Sequence, residues 1–109
     1  MAREQLKTLT EPMYYILLSL TEPRHGYAIM QEVHARTNGR VKIGAGTLYN
    51  LLSRFEEEDI IRQEALKERK KIYKLTKKGM KVLKAEYERL NQLVQDGKHV
   101  LEGGGGLND

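Results

Sequence analysis

Residues 44–59 read GAGTLYNLLSRFEEED, and the fold can be worked out from this stretch. Its large apolar residues recur at intervals of three and four, which predicts an amphipathic helix from about Gly46 to Glu57. The stripe that this helix buries consists of Leu48, Leu51, Leu52 and Phe55. The helix is neutral to basic in its first half and ends in the consecutive acids of residues 56–59. Only its first half can therefore approach a negatively charged partner.

Two shorter helices are predicted upstream of it. The first begins at Thr8 or Thr10, each in an N-capping pattern, and runs to about Leu20. The second begins near His25 and repeats apolar residues at helical spacing. Its apolar positions are Tyr27, Ile29, Met30 and Val33. It stops at the Asn-Gly turn of residues 38–39.

Short strands are predicted where polar and apolar residues alternate. Val41 and Ile43 alternate with basic residues just before the central helix, which predicts a short strand there. Residues 60–65 and 71–75 follow that helix and flank the charged segment 67–70. Two such runs around a charged tip predict a β-hairpin.

A long last helix is predicted after Thr76, which can cap its start. Its apolar residues recur at alternating intervals of three and four, the spacing of a coiled-coil seam. The seam consists of Met80, Leu83, Tyr87, Leu90 and Val94. We expect Gly97 to end the helix, and the glycines of residues 103–106 indicate a flexible tail.

The order of elements is helix, helix, strand, helix, hairpin and long helix. This order predicts a mainly α fold with a small β-hairpin, a winged helix-turn-helix followed by a long C-terminal helix. The winged domain is expected at 1–76 with a flexible arm at 1–7. A dimerisation helix is expected at 77–97 and a flexible glycine-rich tail at 98–109. The central helix is then the recognition helix, the element that enters the DNA major groove in this class of fold.

Positive charge is concentrated downstream of the recognition helix. The net charge is +4, but residues 67–84 contain nine Lys or Arg and a single Glu. This density exceeds what solubility requires, which favours phosphate contact over a merely solvated surface. The recognition helix and its approach are expected to contact DNA through Lys42, Ala45, Thr47, Tyr49, Asn50, Ser53 and Arg54. The hairpin tip, or wing, is expected to contact it through Lys67, Arg69, Lys70 and Lys71.

The side chains of the recognition helix suit different parts of DNA. Asn50 can pair with adenine, and Arg54 can bind a phosphate or a guanine. Thr47 and Ser53 can bind bases or phosphates, while Tyr49 can offer its hydroxyl to a phosphate with its ring packed on the core. The alternative for Thr47, Asn50 and Ser53 is an ordinary solvated helix face.

A second copy of the chain is the expected partner of the last helix. The winged domain can cover only the first turns of so long a helix, and each large apolar side chain buried contributes about 1.5–3 kcal/mol. A symmetric homodimer buries the far end. The expected interface consists of Tyr14, Leu18, Met80, Leu83, Tyr87, Leu90 and Val94. Tyr14, Tyr15 and Tyr87 can also line a small-molecule effector site in a dimer cavity, and plain interface packing is the alternative.

Other classes of function find little support in the sequence. The absence of cysteine removes disulfides, thiolate metal sites and cysteine nucleophiles, and it fits the reducing cytoplasm. The three histidines lack metal-ligand spacing, and no serine, histidine and acid form a catalytic arrangement. We therefore expect no metal, no cofactor and no enzymatic activity. Residues 13–20, the longest apolar stretch, are too short to cross a membrane.

Three stretches resemble the PadR-like family of transcriptional regulators. They are RHGY at residues 24–27, GTLYNLLSRFE at residues 46–56 and RKKIYKLTKKG at residues 69–79. Each is weak alone, but all three follow in order at the family's spacing, and the match spans roughly Leu9 to Leu90. Asp59 departs from the glycine that the family often has before the wing. Aspartate tolerates a left-handed backbone better than most residues, so the fold need not change.

The resemblance implies a repressor, often released from DNA by a small apolar or aromatic molecule. The short C-terminus resembles that of the smaller subfamily, in which the single C-terminal helix and helix 1 form the dimer interface. Such a homodimer would place two recognition helices in major-groove segments about 34 Å apart, on an inverted repeat. The alternative is a winged-helix module that binds a partner protein and has lost DNA binding.

Overall fold

The chain folds into helices that surround the base of one hairpin. The computed structural model describes residues 8–103, so the predicted arm at 1–7 and residues 104–109 of the tail predicted at 98–109 lie outside the described residues. The elements in that range are α1 (Glu11–Ser19), α2 (Gly26–Arg36), α3 (Ala45–Glu57), β1 (Ile61–Lys67), β2 (Lys70–Leu75) and α4 (Lys77–Leu101). The hairpin is antiparallel. The predicted fold class, mainly α with a small hairpin and a long last helix, is confirmed.

Three of the helices begin at a side chain that caps a free backbone amide. The Thr10 side chain accepts a hydrogen bond from the Met13 amide at 3.4 Å, and His25 Nδ1 accepts one from Ala28 at 3.2 Å. Thr76 Oγ1 accepts one from Gly79 at 2.9 Å. Each bond satisfies a donor that a helix start leaves without an intrahelical partner. Of the two predicted starts for α1, the one at Thr10 is confirmed.

The core lies where α1, α2 and α3 meet the base of the hairpin and the first turns of α4. Apolar side chains with at most 1% exposure come from every one of the first three helices and from the start of the hairpin. They are Ile16, Leu17, Leu20, Ile29, Val33, Leu48, Leu52, Phe55, Ile60 and Ile61. Tyr73, Leu75 and Leu83 close the core from β2 and α4. The part of β1 that follows Ile61 lies outside this core, because its residues are all exposed.

The strand predicted at Val41 and Ile43 is wrong. In its place Arg24 lies along the free edge of β2, where its amide donates to Tyr73 O at 3.0 Å and Tyr73 N donates to its carbonyl at 2.9 Å. The Val41 amide instead donates to Thr37 Oγ1 at 3.1 Å, a local bond that ends α2 and turns the chain towards α3. The Val41 backbone amide is therefore satisfied without a sheet partner.

The predicted end of the last helix at Gly97 is also wrong, because α4 continues through it to Leu101. Glycine costs a helix about 1 kcal/mol relative to alanine but does not by itself end one. The glycine with a left-handed backbone is Gly103, φ 121°, just beyond the helix. A hydrogen bond of 3.0 Å from Gln92 Nε2 to Asp96 Oδ1 supports the turn before Gly97.

The apolar seam of α4 divides into two parts. Leu83 is 4% exposed within its own chain's core and Met80 is half-buried against that core. The expectation that Leu83 faces a partner is therefore wrong, because the first turns of α4 pack on α1 and β2. Tyr87 and Val94 are 60% and 62% exposed, so the far part of the seam has no cover within the described chain.

Candidate nucleic-acid interface

The start of α3 forms an exposed, neutral surface. Residues 44–47 are all exposed, and the N-cap Gly44 makes no side-chain capping bond. The backbone amides of the first turn are thus left available to an external acceptor. Ala45, Thr47, Asn50 and Ser53 point away from the buried stripe, as predicted from the helical spacing. Lys42 is exposed on the segment that leads into the helix.

Arg54 differs from the other predicted contacts on α3. Its Nε donates to Glu58 Oε2 at 3.1 Å, and its side chain is 41% exposed. The bond joins residues four apart on the helix surface, so it draws the guanidinium towards the acidic end of α3. To bind DNA, the Arg54 guanidinium has to break its hydrogen bond to Glu58, or keep it and bind DNA through its other N–H groups.

The wing presents its cations at a two-residue turn. Glu68 and Arg69 both have positive φ, 51° and 66°, and Lys67 pairs with Lys70 across the strands. This is the backbone of a type I′ hairpin, which matches the twist of its strands and holds the tip in one orientation. All four predicted wing contacts are exposed, and none forms an ion pair within residues 8–103. Their charge is directed to solvent.

Tyr49 links α3 to the start of α2. Its ring lies against Gly26, where a Cβ would be 2.8 Å from the ring carbon Cζ. The ring is therefore packed on a backbone surface, while the residue remains 49% exposed. The expectation that the ring packs on the core is wrong, because Gly26 leaves it a place at the surface.

A cleft of about 400 Å³ opens beside this contact. It joins three elements, because α2, α3 and the wing all contribute to its walls. The lining residues are His25, Gly26, Tyr27, Tyr49, Arg69, Lys70, Lys71 and Tyr73. His25 and Gly26 were not predicted as site residues, although both belong to the RHGY stretch. Tyr27, expected on the buried face of α2, is 60% exposed at this cleft.

A second cavity lies between α1 and α4. It measures about 250 Å³, and Tyr14, Tyr15 and Leu90 contribute to its walls. The two tyrosine rings meet edge to face, with centroids 5.9 Å apart and planes at 76°. Burial raises the pKa of the Tyr14 hydroxyl, and the neighbouring Tyr87 hydroxyl raises it further. The structure thus brings Tyr14 and Tyr15 together, with Tyr87 close by but more exposed.

A buried carboxylate holds the same two helices in place. Glu86 on α4 is 3% exposed; it accepts hydrogen bonds from Arg89 Nε at 2.9 Å and from Arg89 Nη2 at 2.7 Å. Its Oε2 also accepts the Leu9 amide at 3.2 Å, which joins the segment before α1 to α4. Hydrogen bonds from Arg89 lower the pKa of the Glu86 carboxyl, burial opposes this shift, and the Leu9 amide adds to it.

Residues 8–103 contain neither a metal-binding cluster nor a membrane-spanning helix. Among residues 8–103, no group of three or more His, Asp or Glu side chains is placed to hold a metal ion. No helix in that part of the chain combines the length and apolar character needed to cross a membrane. The features that stand out are the start of α3, the wing with its cleft, and the α1–α4 cavity.

Comparison with known proteins accounts for this arrangement. The sequence model of the family described as "Transcriptional regulator PadR-like family" matches residues 16–85, from α1 into α4. The chain belongs to the PadR-like family of transcriptional regulators. The predicted resemblance is confirmed, and so is the expectation that the chain is not an enzyme, because the family consists of regulators. The match includes both α3 and the wing.

Solved structures agree with this membership. A PadR-like transcription factor from Bacteroides fragilis is 31% identical, with a TM-score of 0.58 over 76% of this chain and 84% of that one. A winged-helix DNA-binding protein from STIV is 27% identical, with a TM-score of 0.64 over 74% and 89%. A transcriptional regulator from Clostridium thermocellum shares the fold at 22% identity, with a TM-score of 0.70 over 84% and 92%. A search of the curated proteins gives no match. This PadR-like regulator therefore has a winged-helix DNA-binding fold.

Proposed function

We propose that this PadR-like regulator is a cytoplasmic repressor that binds an inverted-repeat operator in double-stranded DNA as a homodimer. One observation carries the proposal. Tyr49, in the first half of α3, lines one cleft together with three unpaired cations of the wing, while the acids of α3 are at the other end of that helix. Double-stranded DNA fits this charge distribution. Its phosphates are attracted by the wing cations beside the first half of α3 and are repelled by the acids at the end of α3.

The contacts divide by element. The start of α3 enters the major groove, where Asn50 can bind an adenine edge and Thr47 and Ser53 can bind bases or phosphates. Lys42 and the free amides beside Ala45 bind phosphates at the groove's edge. The wing cations reach the neighbouring minor groove or its backbone, and the Tyr49 hydroxyl binds the phosphate strand between them. These wing cations are Lys67, Arg69, Lys70 and Lys71. Arg54 contributes if DNA draws it from Glu58.

The far half of α4 supports the homodimer. Tyr87, Leu93, Val94 and Leu101 are each more than half exposed, and Leu90 is half-buried beside them. A helix with such a stripe is stable when a second helix covers it. Tyr14 and Leu18 on α1 border the same surface and complete the interface with Met80. Two-fold symmetry then places two α3 helices about 34 Å apart on the DNA.

A small apolar or aromatic effector can act at the cavity between α1 and α4. Tyr14 and Tyr15, whose ring planes meet at 76°, line it together with the aliphatic side chain of Leu90. Because both helices belong to the proposed dimer interface, a ligand that spreads them changes the separation of the two α3 helices. Release of DNA follows from that change.

Selection of duplexes from a random pool tests the operator. The purified chain should enrich inverted repeats whose half-sites lie about 10 base pairs apart, and Asn50→Ala should relax the preference at one position of each half-site. Enrichment of single half-sites would contradict the dimeric arrangement. Failure to enrich any sequence, with a protein partner recovered by pull-down, would contradict DNA recognition and support the protein-interaction alternative.

A further inference from the structure

The cleft between α2, α3 and the wing is lined by three cations. Arg69, Lys70 and Lys71 line one side, and Tyr49 and His25 line the other. Of the described residues that line it, none is acidic. A cleft of about 400 Å³ with three cations and no carboxylate suits a compact, strongly charged anion rather than an apolar ligand.

Local contacts fix the two uncharged donors. The Tyr49 ring is seated on Gly26, which has no side chain to displace it, so its hydroxyl stays beside the start of α2. His25 Nδ1 accepts the Ala28 amide at 3.2 Å, so the proton of the neutral ring is on Nε2. Nε2 is thus the ring nitrogen that remains free to donate.

The position of the cleft indicates which anion it takes. One sugar-phosphate strand separates a major groove from the adjacent minor groove. If α3 occupies the first and the wing the second, that strand passes between them, where the cleft lies.

We propose that this cleft is the binding site of a single phosphate of the DNA backbone. The Tyr49 hydroxyl and His25 Nε2–H donate to its oxygens, and the wing cations close over it. The inference rests on the proposed function, and it adds His25 as a contact and Gly26 as the residue that positions Tyr49. A charge-assisted hydrogen bond to a phosphate is stronger than a neutral one, so each donor should have a measurable effect.

Methylphosphonate scanning tests the proposed phosphate-binding site. A duplex selected from a random pool by the wild-type protein is synthesised with each phosphate replaced in turn by a neutral methylphosphonate, and affinity is measured by fluorescence anisotropy. Tyr49→Phe removes only the hydroxyl, and His25→Ser removes the ring donor while it keeps a capping side chain. His99→Ser, which removes an exposed imidazole from the last turn of α4, is the matched control.

The expected result is a coupling at one phosphate per half-site. Tyr49→Phe and His25→Ser should each weaken binding to unmodified DNA about tenfold. At that phosphate, neutralisation should weaken the wild type but cause little further loss in either variant. Gly26→Ala should reproduce the Tyr49→Phe pattern, because its methyl displaces the ring. His99→Ser should match the wild type at every position.

The opposite results separate the two proposals. If the wild type binds DNA but both variants lose affinity equally at every phosphate, or lose none, the proposed phosphate-binding site is wrong. The proposal that the protein binds DNA is then still supported. If the wild type binds no duplex, the phosphate-binding site and the proposed function are both wrong. Circular dichroism of each variant shows that a loss of affinity does not reflect unfolding.

Discussion

The α-carbon of Gly79 lies against the carbonyl oxygen of Ile60, so closely that a Cβ at residue 79 would overlap that oxygen. The same carbonyl accepts hydrogen bonds from the Thr76 amide at 3.0 Å and from Thr76 Oγ1 at 3.1 Å. The first turn of α4 is thereby fixed to the residue that leads from α3 into the wing. The direction of α4, and with it the position of any partner, depends on this contact.

Gly79→Ala should therefore destabilise the protein. The methyl group meets backbone, which cannot move aside as a flexible side chain can, so we expect a loss of about 1–3 kcal/mol in the free energy of unfolding. Urea unfolding followed by circular dichroism measures it. Gly46→Ala, at a site where a Cβ has nothing within 4 Å, is the matched control. Equal stability of Gly79→Ala and the wild type would contradict the described start of α4.

Gly46→Ala should separate stability from DNA binding. The substitution is in the first turn of α3, where alanine favours the helix by up to about 1 kcal/mol over glycine. The added methyl lies on the exposed surface that we place in the major groove, so affinity for selected DNA should fall severalfold. Thermal unfolding and anisotropy measure the two effects. A stabilised variant with unchanged affinity would show that DNA does not approach the start of α3 closely.

Acid should weaken the attachment of α1 to α4 through Glu86. Its folded-state pKa lies below the ordinary 4.5, so its charge contributes stability above that value. The contribution is lost as the pH falls from 4.5 through the folded-state pKa. Glu86→Gln should be less stable than the wild type at neutral pH, and the difference should shrink on acidification to about pH 3. Urea unfolding across this range measures it, with the exposed Glu88→Gln as control. A constant difference at all pH values would contradict the role of the charge.

Val94→Asp should dissociate the homodimer without unfolding the domain. Val94 is 62% exposed within one chain, so a charge there disturbs nothing in the monomer but cannot be buried against a second helix. Sedimentation velocity should show wild-type dimers and Val94→Asp monomers. Ala85→Asp places the same charge at an exposed position off the seam and should remain dimeric. A dimeric Val94→Asp protein would show that the interface lies elsewhere.

Local chemistry explains what could be predicted from the sequence. Helix starts at Thr10, His25 and Thr76 are set by side chains that bond amides three residues away, so short windows of sequence contain them. The left-handed backbone at Asp59, φ 63°, is likewise a property of one residue type at one turn. The orientation of α3 followed from its period, since its stripe and its exposed face alternate along thirteen residues.

The features that the sequence did not predict depend on contacts between distant residues. Arg24 pairs with Tyr73, which is on a different element, and this pairing replaces the strand expected at Val41. The contact between Gly26 and Tyr49 creates the cleft, yet each residue taken alone is an ordinary glycine or tyrosine. The burial of Leu83 depends on how α4 lies across α1 and β2, which its periodicity cannot specify.

The central claim, that α3 and the wing bind DNA, is tested most directly by the salt dependence of binding. Fluorescence anisotropy of the wild type on a selected duplex, with unrelated DNA as competitor, is measured between about 50 and 200 mM salt. Six or more phosphate contacts predict a slope of log affinity against log salt of about −5 or steeper. Lys70→Ala with Lys71→Ala should bind all sequences more weakly, with a shallower slope. Absence of binding at low salt, or a slope near zero, would contradict the claim.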